Sequence, residues 1–557
     1  MSKGGLRTPE VLAACVLALC VAAVRLLIAR SLHFCGTPDA CYYLGLGQNL
    51  ASGHGFQARF LYDFQQARPS LPNTGIEYWR PGISLALQLL RPLGGVTLLG
   101  SIALTIGVGL LYAAAAWHFA RQNHLSQGLA LAAFALCLLS NPAWGGSLTP
   151  DSGLYYGAAV AWFLALFTVR RQGLWQDVVA LLCVAAAYLI RNDAALLLVP
   201  LVAVLWQRHR TRQPGPSLPA LPALLYAVLM LGGFALMLVP MHLIYRAVLG
   251  SAFPSGTSRA FFLNDLGDFV RYNDPASLHS LLSHGWKHLL LFRVATLVTA
   301  LYRIAALVLG YAALLFLPAL FLRNSPKYFI GNARLAQPPN TQISIAQIPV
   351  AQLPVAQLPD AQLPELLGPA FLFAAMLAVY TLLLPAIGGF SILRSVLGVL
   401  PMVFVLVVLG AQRVARTPRL AKLLLGTLVA TYAVSGLMEV RRDVEAANRL
   451  GAADRAVAAK LSAPASLANA IVLTPDPVQF SVTTGYAAVA LPSNGLDAMV
   501  EAAHDFRATH VILNTEDLPA SFEELKHRLH PLHTEELPAE HTLIFWLPAA
   551  GNPLPAN

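Results

Sequence analysis

Charged side chains are scarce in this sequence. Of its 557 residues, 11% are charged and 57% are apolar, whereas soluble domains carry roughly 25% charged residues. So little polar surface excludes a soluble globular protein and indicates a protein of the lipid bilayer. The formal net charge of +10 does not indicate nucleic acid as a partner, because Lys and Arg stand in short groups between long apolar runs rather than on one face.

Cysteine and cofactor motifs are also sparse. Six cysteines in a chain of this length exclude a disulfide scaffold, and the C-terminal segment 441–557 has no glycine-rich phosphate loop of the dinucleotide type. His54 stands between two glycines without a partner at ligand spacing, so we assign no cofactor and leave a divalent metal open. Four cysteines lie within apolar runs, where they are expected to pack as small hydrophobes: Cys15, Cys20, Cys137 and Cys183.

Long apolar runs fill most of the first 440 residues. A run of about 17 to 25 apolar residues crosses the hydrocarbon core as a helix, because a helix satisfies its own backbone polar groups. The first run follows Lys3 and Arg7 and is interpreted as a retained anchor, since no small-residue cleavage site follows it. We predict about eleven spans, near residues 11–30, 96–119, 125–141, 153–169, 177–190, 194–207, 219–245, 294–322, 367–389, 396–412 and 420–438.

Basic residues at the connections indicate the orientation of these spans. With a cytoplasmic N-terminus, every inside turn carries Lys or Arg, as the positive-inside rule requires. The same assignment puts the segments 31–95 and 246–293 and the C-terminal tail outside. We therefore expect a multi-pass protein of a bacterial inner or plasma membrane, with its acidic and turn-rich chemistry on the periplasmic or extracellular side.

Composition divides the chain near residue 440. Residues 1–440 are predicted to form an all-α polytopic membrane domain, with 31–95 as a first outside loop that carries surface helices. Residues 323–366 form an inside loop with AQLP repeats, whose prolines forbid a regular helix. In 441–557, short apolar or β-branched runs alternate with helical stretches, which predicts a small α/β domain outside the membrane.

The first outside loop contains the residues best suited to chemistry. Asp39 opens a short helix with Tyr42 and Tyr43, and Cys35 and Cys41 bracket the acid. A tight loop could bridge the two cysteines in an oxidising compartment, and two free thiols are the alternative.

Further elements follow in chain order: Gly53, Gly55 and Phe56; Glu77, Arg80, Pro81 and Gly82; Thr149, Pro150 and Asp151; Tyr188, Arg191 and Asp193; Arg246, Gly250, Pro254 and Arg259; and Arg394.

The order of these elements resembles the GT-C superfamily, in particular the branch of the protein O-mannosyltransferases and the aminoarabinose lipid A transferases. In that branch an acid precedes Tyr-Tyr and the loop ends in Gly-x-Gly-Phe, as here. A basic-Pro-Pro element follows, of which this chain keeps Arg80 and Pro81 but has Gly82 for the second proline. The resemblance covers about residues 10–440. It implies a GT-C fold and a glycosyltransferase that uses a polyprenyl-phosphate-linked sugar, with a lipid, glycan or protein as acceptor.

The chemistry that the resemblance implies agrees with these residue types. Displacement of a lipid phosphate at the anomeric carbon needs a base for the acceptor hydroxyl, and Asp39 is the first choice and Asp151 the second. The departing phosphate gains negative charge, which fixed arginines stabilise through paired hydrogen bonds. We expect donor-phosphate contacts from arginines at the outside ends of spans, Arg80, Arg191, Arg259 and Arg394, and substrate contacts from Tyr42, Tyr43 and Glu77.

Each of these residues also has a purely structural interpretation. Thr-Pro-Asp recurs at 474–476 in the soluble tail, so Asp39 and Asp151 could serve only as helix N-caps. An arginine at the end of a span is commonly an anchor that reaches to lipid head groups.

A transporter or flippase of a lipid-linked or anionic substrate is the rival function, because it too would have many spans. Transporters place ionisable residues at the bilayer midplane and often repeat their spans internally. Here the charges gather at span ends, no doubled pattern is evident and a soluble outside domain follows, which favours the enzyme. A polymer ligase or a non-catalytic scaffold of the same fold is a third interpretation.

Overall fold

The structure of the protein is a computed structural model. This structure describes residues 9–65, 70–77, 79–168, 173–210, 223–254, 259–309, 363–383, 385–415, 417–461, 470–515, 522–538 and 541–547. The predicted connector with AQLP repeats lies outside the described residues as far as residue 362.

Helices occur at the predicted apolar runs where these are described, and residues 310–322 of the predicted span 294–322 lie outside the described residues. Up to residue 461 their bounds are Pro9–Ala29, Pro38–Ala51, Gly82–Ala86, Leu98–Gln122, Gln127–Leu139, Asn141–Ser147, Ser152–Leu166, Leu174–Ile190, Leu198–Arg210, Ala223–Leu249, Leu278–Ser283, Trp286–Arg303, Leu363–Ala378, Pro385–Val396, Leu400–Val414 and Pro418–Leu461. Four 3-10 segments, Leu87–Leu93, Asn192–Leu197, Ala260–Phe262 and Gly267–Val270, and two π segments, Ile304–Leu309 and Val379–Leu383, complete this part.

Five of the described helices are long and apolar enough to cross a membrane: Pro9–Ala29, Leu98–Gln122, Leu225–Leu249, Trp286–Ala306 and Pro418–Leu461. The helices Gln127–Leu139 and Asn141–Ser147 meet at a bend of 52° and count as a sixth if they form one span. Several further apolar helices are shorter than 18 residues. The described chain therefore has five or six clear spans, and the count of eleven stays a prediction.

The bend within the predicted span 125–141 follows from its sequence. Pro142 has no backbone N–H, so the carbonyl of Leu138 loses its partner four residues on and the helix breaks. Arg25 of the first helix replaces that partner, because its guanidinium donates to the Leu138 carbonyl at 2.6 Å and lies 4.7 Å from the ring centroid of Trp144.

A mixed sheet of six strands forms the C-terminal part, in the order β2-β5-β4-β6-β8-β7. The first four in this order run parallel, and β8 and β7 are antiparallel to their neighbours. A separate antiparallel pair, β1 with β3, ties the first loop to itself. The strands are β1 Gln57–Ala58, β2 Phe60–Leu61, β3 Asn73–Thr74, β4 Ile471–Thr474, β5 Ala487–Ala490, β6 His510–Asn514, β7 His533–Leu537 and β8 Thr542–Trp546, with helices Pro477–Thr484, Leu496–Asp505 and Phe522–Leu529 between them.

Two connections join this sheet to the membrane part. Strand β2 comes from the first outside loop and pairs Phe60 with Ala488 of β5. The helix Pro418–Leu461 has 44 residues, about 66 Å at 1.5 Å per residue, and buries Val457 and Leu461 against one face of the sheet. The helix runs through the predicted domain boundary, and the division at residue 441 stays a prediction.

Candidate active site

A cavity of about 540 Å³ lies where the first loop meets the ends of several helices. Its volume is within the range of about 300–1,000 Å³ that is usual for ligand pockets. The lining combines charged groups with apolar side chains, so it suits a ligand with a polar head and an apolar tail. The charged lining residues are Asp39, Arg80, Arg191, Asp193 and Arg394, and the apolar ones include Leu196, Phe261, Leu266, Val379 and Leu383.

Asp39 stands in the first turn of the helix Pro38–Ala51. Thr37 caps this helix, because its hydroxyl accepts the backbone N–H of Ala40 at 3.2 Å. The carboxylate of Asp39 is therefore not used as a cap, and it forms an ion pair with Arg394 in the cavity. Burial raises the pKa of Asp39 above its ordinary value, and the Arg394 cation opposes that rise.

Asp151 is the N-cap of the helix Ser152–Leu166. Its Oδ1 accepts the backbone N–H of Gly153 at 3.3 Å and the hydroxyl of Ser152 at 3.0 Å. Its Oδ2 lies 2.8 Å from Nη2 of Arg394. Asp151 does not line the cavity, but it contacts two residues that do, Arg394 through an ion pair and Ser152 through a hydrogen bond.

Arg394 lies on the helix Pro385–Val396 and forms ion pairs with both Asp39 and Asp151. Burial alone lowers the pKa of its guanidinium, but Asp151 and Asp39 raise it more, and the net pKa is raised. Two carboxylates therefore compensate one cation. This arrangement favours a role in holding the acids over the predicted contact with the donor phosphate.

Arg191 lies in a saturated polar cluster at the end of the helix Leu174–Ile190. Its Nε donates to Asp193 at 2.9 Å, and its Nη2 donates to the hydroxyls of Tyr380 at 2.9 Å and Ser395 at 3.3 Å. The Tyr380 hydroxyl in turn donates to Asp193 at 2.8 Å. This closed network fixes one wall of the cavity and leaves Arg191 with a compensated charge.

Arg80 is held differently. Its Nε donates to the side-chain oxygen of Asn192, and the guanidinium carbon lies 4.2 Å from the ring centroid of Tyr188 and 4.9 Å from that of Tyr245. Its Nη1 is buried and has no hydrogen-bond partner among the described residues. A buried donor without a partner is costly, so Arg80 is well suited to bind an anion in the cavity.

Gly82 has a steric reason to replace the second proline of the basic-Pro-Pro element. A Cβ atom at this position would lie 2.4 Å from the carbonyl oxygen of Leu189. The last turn of the helix Leu174–Ile190 therefore lies directly against residue 82, and the same turn carries Tyr188 to Arg80.

The structure separates some of the predicted site residues from the cavity. Arg259 donates to the backbone carbonyl of Gln65 at 2.9 Å, and its neighbours Ala260 and Phe261 line the cavity while Arg259 does not. Of the predicted substrate residues, only Tyr43 lines the cavity. Tyr42 and Glu77 line a much smaller cavity of about 10 Å³ beside it.

The remaining predicted groups lie in the first loop. Cys35 and Cys41 form a disulfide with their Cα atoms 5.1 Å apart, directly beside Asp39. The Nδ1 of His54 lies 2.8 Å from the hydroxyl of Ser52. Among the described residues, no three His, Cys, Asp or Glu side chains gather at a spacing that could hold a metal ion.

Several residues of the site escape sequence reasoning. Tyr245, Tyr380 and Ser395 complete the surroundings of the two arginines, but none stands in a predicted motif. Tyr188, Asn192 and Asp193 lie within the motif around Arg191, which is the signal that could have added them to the site.

The fold is similar to that of a solved glycosyltransferase. ArnT from Cupriavidus metallidurans, bound to undecaprenyl phosphate, superposes with a TM-score of 0.52 over 95% of this chain and 97% of that chain, at 11% sequence identity. The chain has a GT-C fold. This GT-C fold confirms the one that the sequence motifs predicted.

Two further solved structures match this chain at lower scores. The Archaeoglobus fulgidus oligosaccharyltransferase in the apo form has a TM-score of 0.46 at 12% identity, over 91% of this chain and 71% of that chain. ArnT from Cupriavidus metallidurans in the apo state has a TM-score of 0.38 at 11% identity, over 95% and 97%. No protein-family model matches the sequence, and the comparison with curated proteins found no match.

Proposed function

We propose that the protein transfers a sugar from a polyprenyl-phosphate donor to an acceptor hydroxyl at the outer face of its membrane. The observation that carries this proposal is that a carboxylate and a guanidinium, those of Asp39 and Arg80, line the same cavity. Asp39 faces it as a carboxylate held by Arg394, and Arg80 contributes a buried Nη1 without a partner among the described residues. The GT-C fold supports the same reaction class, since ArnT was solved with undecaprenyl phosphate.

The proposed reaction is a displacement at the anomeric carbon. The acceptor oxygen forms a bond to that carbon while the bond to the phosphate oxygen breaks, and the polyprenyl phosphate departs with the electron pair. Asp39 takes the proton of the acceptor hydroxyl, a step worth about 10²- to 10⁴-fold in rate. A carboxylate with a raised pKa is the stronger base, and the Arg394 cation keeps it ionised.

The departing phosphate is proposed to bind Arg80. Negative charge grows on this phosphate as the bond breaks, so a fixed cation stabilises the transition state more than the ground state. The guanidinium is oriented in advance by Asn192 and the rings of Tyr188 and Tyr245. Arg259 does not line the cavity and donates to the backbone carbonyl of Gln65, so Arg80 is the one phosphate contact that we propose.

From the apolar runs we propose eleven spans in a bacterial inner membrane. Because basic residues mark every predicted inside turn, we propose a cytoplasmic N-terminus and a cavity on the periplasmic or extracellular side. The acceptor is a lipid, a glycan or a protein, and no cofactor is assigned.

The experiment is to incubate the purified chain in nanodiscs with a panel of polyprenyl-phosphate sugars and acceptors and to measure released polyprenyl phosphate. We expect release with at least one donor and only in the presence of an acceptor hydroxyl. No release with any donor, together with substrate flux in liposomes, would establish the transporter instead.

A further inference from the structure

Two aromatic rings form one side of the cavity near Asp39. Tyr62 and Trp79 both line it and are half-buried. Their ring centroids are 4.8 Å apart and their planes meet at 55°. The two rings therefore present an angled aromatic surface to the same cavity that contains the carboxylate of Asp39 and the guanidinium of Arg80.

The positions of these rings are fixed by the fold. Tyr62 directly follows strand β2, which is hydrogen-bonded into the six-stranded sheet. The ring of Trp79 packs against Tyr42 with centroids 4.6 Å apart, and Tyr42 is fully buried on the helix Pro38–Ala51. The aromatic surface is therefore preorganised, so a ligand does not have to order it on binding.

The chain order places this surface beside the anion site. Trp79 immediately precedes Arg80, and consecutive Cα atoms are about 3.8 Å apart. In a polyprenyl-phosphate donor the sugar ring is likewise joined directly to the phosphate. A phosphate on Arg80 therefore brings the attached sugar to Trp79 and Tyr62, with Asp39 on the same cavity surface.

We infer that Tyr62 and Trp79 form the subsite for the sugar ring of the donor, which stacks an apolar C–H face on them. This inference rests on the proposed function. The faces of aromatic rings carry partial negative charge and attract the slightly positive C–H groups of a sugar face. The subsite selects the ring by its C–H face and leaves its hydroxyls free to vary.

The charges of the cavity restrict the sugar further. Among the described arginines of its lining, Arg191 and Arg394 are paired with carboxylates, and only Arg80 has a buried donor without a partner. One available cation matches one phosphate. The subsite therefore binds a neutral sugar or an amino sugar. It disfavours a uronic acid, because the carboxylate of that sugar would lie near the carboxylate of Asp39 and no further unpaired arginine of the described lining would be left to neutralise it.

The test compares the binding of two lipids to the full chain in nanodiscs without acceptor. One lipid is polyprenyl phosphate and the other is the same lipid carrying a neutral hexose. We expect the wild type to bind the sugar-bearing lipid about tenfold more tightly. Trp79→Ala and, independently, Tyr62→Leu should reduce this preference to about twofold or less, with the affinity for bare polyprenyl phosphate retained.

Matched controls are available on the surface of the protein. Trp175 is 74% exposed and Tyr302 is 61% exposed, and Trp175→Ala and Tyr302→Leu should leave the preference unchanged. If both Tyr62→Leu and Trp79→Ala still bind the sugar-bearing lipid more tightly, the subsite is overturned. An equal loss of affinity for the two lipids in both variants would overturn it as well. Wild-type protein that binds neither lipid would instead contradict the proposed function. A uronate-bearing lipid that binds as tightly as the hexose-bearing one would overturn the restriction on charge.

Discussion

The carboxylate of Asp151 lies 2.8 Å from the guanidinium of Arg394, which at the same time pairs with Asp39. One cation thus joins a carboxylate that caps a helix to a carboxylate that faces the cavity. Because Asp151 is fixed by its helix, Arg394 is fixed as well, and it can hold Asp39 in position. These two ion pairs bring two acids and an arginine from distant parts of the sequence together.

Removal of the Arg394 charge is predicted to shift the pH dependence of transfer. Burial raises the pKa of Asp39 and Arg394 lowers it, so Arg394→Met should raise this pKa further. The base would then be protonated at a higher pH, and the acidic limb of kcat/KM against pH should move to higher pH. Arg394→Lys should move it less, and Arg441→Met, at a position 82% exposed, should not move it. An unmoved limb in Arg394→Met would contradict the arrangement.

Substitution of Gly82 is predicted to destabilise the protein. A Cβ atom there would lie 2.4 Å from the Leu189 carbonyl oxygen, and overpacking typically costs about 1–3 kcal/mol. Gly82→Ala and Gly82→Pro should lower the Tm in detergent and reduce transfer, since the shift also moves Arg80. Gly107→Ala is the control, because nothing lies within 4 Å of a Cβ atom at that helical position. Equal Tm values for the two alanine variants would show that the contact is relieved at little cost.

The disulfide beside Asp39 yields a prediction for labelling. Cys35 and Cys41 are bonded, so alkylation of the unfolded protein without reductant should leave both unlabelled. Reduction beforehand should add two labels on the peptide that contains them, as measured by mass spectrometry. Reduced native protein should also transfer more slowly, because the bridge restrains the turn that carries Asp39. Full labelling of both cysteines before reduction would exclude the bridge.

Local patterns explain what could be predicted from the sequence. Long apolar runs predicted the membrane helices, and strands β4, β5 and β6 lie in the segment 441–557, where short apolar or β-branched runs alternate with helical stretches. Four arginines were predicted near one site from their places at the outside ends of spans, and of these Arg80, Arg191 and Arg394 line one cavity with Asp39, whereas Arg259 does not.

Long-range contacts explain what could not be predicted. Strand β2 has only two residues, and its pairing with β5 joins positions more than 400 residues apart. Tyr380 and Ser395 complete the polar cluster around Arg191, yet neither stands in a motif. The helix Asn141–Ser147, which continues beyond the bend at Pro142, was also not predicted, because the predicted span ends at residue 141.

The sheet is predicted to lose stability in mild acid through His510. Burial lowers the pKa of His510 to about 4, below its ordinary value of 6.5. The neutral form of His510 is therefore favoured in the folded state. The contribution of His510 to the free energy of unfolding is fully present above pH 6.5 and is lost as the pH falls from 6.5 towards 4. His510→Gln should flatten this part of the curve of unfolding free energy against pH. An identical slope in the variant and the wild type between pH 6.5 and 4 would contradict this assignment.

The most direct test of the account is the rate at which Asp39→Asn releases polyprenyl phosphate from a sugar-bearing donor in the presence of acceptor. The amide keeps the shape of the side chain and cannot take the proton, so we predict a loss of at least about 100-fold with donor binding retained. Asp274→Asn, at an exposed position, should release polyprenyl phosphate at the wild-type rate. An undiminished rate in Asp39→Asn would contradict the central claim that this carboxylate is the base.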